Sequence, residues 1–348
     1  MTTGYYPDFK VGVWIDAETA YGTGAGSADE LGKVTNVNPT RTDNIQRFVG
    51  IGEGRNENTH LYGPVDIPIT LDWQMLSFAS SPARSVSTDL LKYIIGGISG
   101  SGTTAAPYKI TESNSYGYTA ASDVLTFQLI VAKEGVGSAT PVDSTDTYKG
   151  CIMTNCRLNS TQGSVLTASA DIVAQSVTSD ATDVDSFTSD VNVPWVFQQG
   201  AFKWGATPTA VSKIRSFSLS IAANPFIYRA LGSRFIQEPI TGKRTYDWTA
   251  SVIMSSDLAT SMRDDHYGQA NSFIAGIDPA TITADDEIEL NFAQGAVSGD
   301  KTMSFYLDQC SIITMSEPVS LGAGLVESQF TGCAQTGKTD FCKYWVIT

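Results

Sequence analysis

Three observations predict a mainly β chain of two tandem β-sandwich or barrel domains, each with a short flanking α-helix and a long loop. Apolar residues recur with period two, short segments recur at a nearly constant spacing, and only 17% of the 348 residues are charged while Gly, Ser, Thr and Ala abound. Phe9-Lys10-Val11-Gly12 returns as Phe202-Lys203-Trp204-Gly205, each followed by a Gly/Ala/Thr-rich stretch. Lys33-Val34-Thr35-Asn36-Val37 then matches Lys213-Ile214-Arg215-Ser216-Phe217, 180 positions on (213 minus 33). Gly63 and Gly242, like Met75 and Met254, are 179 apart (242 minus 63). The repeat divides the chain into domains at 1–180 and 191–348, joined by an acidic linker at 181–190, and 42% apolar residues suffice for a core in each.

Ile67, Ile69, Leu71, Trp73 and Met75 alternate with polar residues, which predicts a strand with one face buried. Pro68 cannot donate to a ladder, so this strand either lies at a sheet edge or begins pairing late. Ser87, Thr88 or Asp89 can cap a short helix through Leu90, Leu91, Ile94 and Ile95, ended by Gly96 and Gly97. A polar Ser/Thr/Gly/Tyr loop is expected from Ser99 to Ala121, and strands through Leu125, Phe127, Leu129 and Val131. The stretch from Ser176 to Asp190 carries four Asp and no Lys or Arg, which reads as linker. Beyond it, Ile214, Phe217, Leu219 and Ile221 among polar residues, then Tyr246, Trp248, Ala250, Val252 and Met254, then Ile288, Leu290 and Phe292 repeat the pattern. A second short helix is expected at Leu258, Ala259 and Met262, capped by Ser256 or Asp257. Both halves are therefore antiparallel sheet structures.

The net charge of -14 argues against a protein that grips nucleic acid, because phosphate binding needs clustered Lys and Arg. The N-terminal residues lack the basic start and apolar run of a signal peptide, and no segment approaches the ~20 apolar residues that cross a bilayer, so synthesis and folding in the cytoplasm are expected, with no membrane insertion. Five cysteines, Cys151, Cys156, Cys310, Cys333 and Cys342, form no CxxC pair and read as small buried residues. Cys151 and Cys156, an odd number of residues apart, would face opposite sides of one strand. His60 and His266 are too few for a His-based triad or metal centre. Gly50-Ile51-Gly52-Glu53-Gly54 fails the dinucleotide-binding spacing. No catalytic, cofactor or metal site is expected.

One long stretch in each half stands out. From 38 to 65 it carries Arg41, Arg47, Phe48, Arg55 and Tyr62, and from 222 to 245 it carries Phe226, Tyr228, Arg229, Arg234, Phe235, Lys243 and Arg244. Long loops in compact domains are usually functional, and Arg with aromatic residues anchor protein interfaces. Asp264, Asp265, Asp285 and Asp286 are the densest negative sites and the candidate partners of these arginines.

The order of these elements, with Glu18-Thr19-Ala20-Tyr21-Gly22-Thr23, Tyr148-Lys149-Gly150-Cys151 followed by Gly163-Ser164-Val165-Leu166-Thr167, and Tyr306-Leu307-Asp308-Gln309-Cys310 followed by Leu321-Gly322, resembles the tail tube (major tail) proteins of long-tailed phages and related archaeal viruses. The resemblance implies rings that stack into a tube, with the long loop reaching into the adjacent ring, and a passive conduit for double-stranded DNA. It also implies tape-measure, tail-terminator and baseplate or tip proteins as partners. Many family members carry one tube domain and form hexameric rings, so two domains per chain imply rings of three chains. Alternatives of other classes are a secreted tube of the contractile injection type, a capsid or decoration protein, and a carbohydrate-binding module or enzyme built on Trp195, Trp204 and Trp248.

Overall fold

The computed structural model describes residues 9–24, 26, 28–48, 59–78, 85–112, 126–135, 144–180, 192–211, 213–237, 239–240, 242–253, 262, 286–316 and 327–347. The protein is mainly β, with 67% strand and 5% helix. First-half strands are β1 (Phe9–Ala20), β2 (Thr23–Gly24), β3 (Asp29–Glu30), β4 (Val34–Pro39), β5 (Thr42–Phe48), β6 (Thr59–Asp66) and β7 (Pro68–Gln74). After the helical turns α1 (Val86–Asp89) and α2 (Lys92–Ile95) come β8 (Gly96–Ser99), β9 (Tyr108–Glu112), β10 (Thr126–Gly135), β11 (Ser144–Thr161), β12 (Thr167–Val173) and β13 (Ser176–Asp180). The second half supplies β14 (Gly200–Gly205), β15 (Thr209–Ala210), β16 (Ile214–Ala222), β17 (Thr245–Ile253), β18 (Asp286–Ala293), β19 (Lys301–Ser316) and β20 (Glu327–Val346).

Antiparallel pairing in the first half runs β1–β10–β11–β12–β7–β4. In the second it runs β14–β18–β19–β20–β17–β16, the same order of neighbours. Irregularities recur at matching points. A bulge separates Val34 from Asn36 and Ile214 from Ser216, next to Lys33 and Lys213, which both have positive φ (20° and 68°). Another separates Phe127 from Leu129 and Asp286 from Ile288, opposite Gly150 and Gln309 at φ 60° and 52°. A third separates Met153 from Asn155 and Ile312 from Thr314. Along β11 and β19 the spacing is 159 (310 minus 151), so the second half is the shorter.

The Phe-Lys-x-Gly match is out of step with this pairing. Phe202 lies opposite Leu290 and its carbonyl accepts from Val211 N at 2.8 Å. The residue with those surroundings is Val13, opposite Val131 and accepting from Leu31 N at 2.8 Å, four positions beyond Phe9 (13 minus 9).

Ile67, Ile69, Leu71, Trp73 and Met75 are buried along one face, as their alternation predicts. Pro68 opens β7 and already lies opposite Val173 of β12, while the β4 ladder starts at Ile69, so β7 is neither an edge strand nor late in pairing and the proline is accommodated as its first residue. Several expectations change. The first helix is two short turns capped by Ser85, whose side chain accepts from Thr88 N, instead of one helix capped at 87–89. The polar segment after Ser99 contains β9, and the acidic segment after Ser176 begins with β13, which pairs with β11. Cys151 and Cys156 both join the core, because the bulge at Thr154 absorbs one residue and restores the buried face. The expected second helix lies outside the described residues except Met262.

The halves are stitched together. β11 pairs with β16 over seven residue pairs, from Asn155↔Ala222 to Thr161↔Ser216, and β9 pairs with β20. Buried apolar side chains of both halves accordingly form one continuous cluster, rather than a separate core in each. Trp195, Trp204 and Trp248 lie inside it, the latter two with ring centroids 5.3 Å apart.

Candidate assembly surface

Both long loops are built on the same crossing. Asn44 Nδ2 donates to Pro64 O at 2.9 Å, and Asn224 Nδ2 donates to Lys243 O at 3.0 Å. A Cβ on Gly63 would stand 2.2 Å from Asn44 O, and one on Gly242 would stand 1.7 Å from Asn224 O. Only glycine permits such backbone approach. Gln46 then faces Leu61 in the β5–β6 hairpin, and Phe226 bridges to Ile240 at the corresponding point.

The arginines of the second loop turn back onto the first half. Arg234 donates from Nε to Gly63 O at 2.9 Å and from Nη2 to Asp43 Oδ1 at 3.0 Å, with its guanidinium 5.0 Å from the Tyr62 ring centroid. Arg229 pairs with Asp66 and donates to Val65 O at 3.2 Å. Arg244 donates to Ile94 O at 2.7 Å and lies 3.5 Å from Glu112, which also accepts from Tyr246 OH at 3.1 Å. Arg41 pairs with Asp43 at 3.2 Å. The acids that meet these arginines are thus Asp43, Asp66 and Glu112, which sequence reasoning missed. A signal for two of them was present: Asp43 and Asp66 bracket the first loop, where charge at the base can hold a neighbouring segment.

Other predicted residues are placed differently. Arg47 and Phe48 lie on β5 opposite His60 and Thr59. Lys243 is exposed, and Asp286 sits at the start of β18 opposite Cys310. Arg55, Asp264, Asp265 and Asp285 lie outside the described residues. Seven of the eleven exposed large apolar side chains among the described residues belong to the two loops, including Tyr62 (65% exposed), Phe226 (63%) and Leu231. Phe226 and Tyr228 stack with centroids 6.2 Å apart. Exposed apolar side chains are thus concentrated on these two loops.

Two sequence motifs far apart in the chain meet at a buried turn. Glu18 accepts from Gly22 N at 3.0 Å, from Thr126 Oγ1 at 2.6 Å and from Gly150 N at 2.8 Å. Gly150 also lies under the Tyr21 ring, where a Cβ would stand 2.9 Å from it. The carboxylate latches the β1 turn to β11.

Burial pushes the Cys156 thiol up to about 12 and raises those of Cys151, Cys310 and Cys342 well above the usual range. Thiols held protonated in this way are poor nucleophiles and poor metal ligands. Among the described residues no group of three or more His, Cys, Asp or Glu is placed to hold a metal ion. No helix among them is long and apolar enough to cross a membrane.

The chain belongs to the phage tail tube protein family, whose model matches residues 9–332, nearly the whole length. It is therefore a structural component of the viral tail, from a family that is not one of enzymes. No curated protein matches it.

Proposed function

We propose that the chain polymerises as stacked rings forming the wall of the tail tube, with two tandem tail-tube-like domains (1–180 and 191–348) joined by an acidic linker at 181–190. Three chains then complete a ring of six quasi-equivalent domains. The observation that carries this reading is the strand order β1–β10–β11–β12–β7–β4 recurring as β14–β18–β19–β20–β17–β16 with matched bulges. Stacking uses the two loops. Because Arg229, Arg234 and Arg244 are engaged within the chain, the exposed Tyr62, Phe226 and Leu231 supply the apolar contact. Arg47 and Arg55 face Asp264, Asp265, Asp285 or Asp286 of the adjacent ring. The net charge of -14 suits a lumen through which double-stranded DNA passes without being held. The protein is made in the host cytoplasm, acts in the virion tail and meets the tape-measure, tail-terminator and baseplate or tip proteins. Native mass spectrometry with image averaging of the purified protein tests this: three chains per ring are expected, and six would overturn the two-domain ring.

A further inference from the structure

We propose that the two halves form one rigid body in the tube wall, each closed by a segment of the other, so that a ring flexes between chains and not within a chain. This rests on the ring reading above and adds where the stiffness of the wall lies. Three connections at different places carry it. The first is the β11–β16 seam.

The second is a strap from the second half. Past the linker, residues 193–197 run in extended form between the end of β7 and the turn before β12, with bridges Leu76↔Pro194 and Val165↔Val196. Trp195 N donates to Met75 O at 3.0 Å, Leu166 N to Trp195 O at 2.7 Å, Ser77 N to Val193 O at 2.9 Å and Phe197 N to Ser164 O at 3.0 Å. The Trp195 side chain is fully buried, and its ring lies 6.3 Å from that of Phe292 in β18. One residue thus closes the end of the first-half sheet and packs on the second-half core.

The third connection runs the other way. The β8–β9 hairpin of the first half lays β9 along β20, from Asp340↔Thr111 to Tyr344↔Tyr108. The rings of Tyr108 and Tyr344 stack 5.1 Å apart, Lys109 Nζ lies 3.0 Å from Asp340 Oδ2, and Val346 N donates to Gly102 O at 3.0 Å.

Domains that meet through small polar interfaces move against one another, and a hinge works where a few residues can absorb the change. Neither condition holds here, because the buried apolar cluster is continuous and close-packed interiors do not deform gradually. The seam alone could act as an axis. β20 lies two strands away from it, beyond β16 and β17, which is about 10 Å at the usual strand spacing. A rotation of about 10° about the seam would move β20 by about 1.7 Å and carry it out of hydrogen-bond range of β9.

Hydrogen exchange of the full chain in urea, at concentrations where it is unassembled, tests this. One body predicts that the most protected amides of β7 and β12 and those of β18 and β19 exchange through the same global opening. Trp195→Ala, a substitution in the second half, should then speed both sets by the same factor, about a hundredfold or more for the loss of a buried Trp. Should that chain not fold, Trp195→Phe is read in the same way with a smaller shared factor. Different factors for the two sets, or two separate openings in the unsubstituted chain, would overturn the single body. In images of curved tubes the angle between the halves of one chain should vary several-fold less than the angle between neighbouring chains, and equal spreads would overturn the confinement of flexing. Six chains per ring would overturn the ring reading alone, because the exchange result is obtained on the unassembled chain.

Discussion

Removing the Arg234 guanidinium tests whether the second loop is held against the base of the first hairpin. Arg234→Ala deletes the bonds to Gly63 O and Asp43 Oδ1 and the contact with the Tyr62 ring. The ion pair is partly exposed, 39% and 30% for its two side chains, so after solvent screening it contributes only about 0.2–1 kcal/mol. The bond to a neutral carbonyl adds about 1 kcal/mol and the exposed cation–π contact about 0.5 kcal/mol. Together these predict a loss of about 2 kcal/mol. The loop is not freed outright, since Val65 N still donates to Arg234 O at 3.0 Å. Asp43 also keeps Arg41 at 3.2 Å, so a double-mutant cycle with Asp43→Asn should return a coupling of only about 0.5 kcal/mol. Urea unfolding followed by tryptophan fluorescence, at protein concentrations where no tubes form, measures both quantities. In ~1 M salt the coupling should vanish while most of the single-mutant loss remains, because the carbonyl bond is not screened as the ion pair is. An Arg234→Ala protein as stable as its parent would refute the docking of this loop within one chain.

Gly242→Ala should lower the melting temperature more than Gly63→Ala, by an overpacking cost of about 1–3 kcal/mol, because its Cβ meets backbone 1.7 Å away against 2.2 Å. Melting temperatures unchanged from the parent in both variants would contradict the shared crossing. Of the five cysteines, only the partly buried Cys333 should react with a thiol reagent in the native protein, and all five after denaturation. The buried thiols also set an alkaline limit: Cys156 is neutral in the fold up to about 12, whereas an unfolded thiol ionises near ~8.5. Its contribution is full below the unfolded value and is lost as pH rises from there toward 12, so the urea midpoint should fall between about pH 9 and 11. A flat midpoint across that range would refute it. At acid pH the opposite sign applies to Asp340. Burial works to raise its pKa, but hydrogen bonds from Lys109 at 3.0 Å and from Lys343 outweigh this and hold it below the ordinary range. Stability from this cluster is present above the unfolded carboxyl value of ~3.9 and lost as pH falls through the folded one, so hydrogen exchange at β9 should rise there and not in Asp340→Asn.

The faces of the strands were legible because burial enforces a period of two, as the run from Ile67 to Met75 shows residue by residue. Bulges were not legible. One extra residue at Thr154 reverses which positions point inward, and nothing in the side chains of Met153-Thr154-Asn155 announces it. β13 was hidden for a different reason: its ladder to β11 is made by backbone groups, and a polar segment such as Ser176-Val177-Thr178-Ser179-Asp180 can satisfy it. Length and composition singled out the two loops, and the exposed apolar side chains are concentrated there. Their partners, Asp43 and Asp66 for Arg234 and Arg229, depend on contacts between residues more than 160 positions apart, which no local pattern encodes.

The seven residue pairs between β11 and β16 have a consequence for handling the protein at low concentration. Two separate molecules that met along such a joint would forfeit about 4–15 kcal/mol of translational and rotational freedom. Here both strands belong to one polypeptide, so that loss is incurred once, in folding. Dilution can pull apart whatever forms between copies, but this seam opens only when the chain itself unfolds.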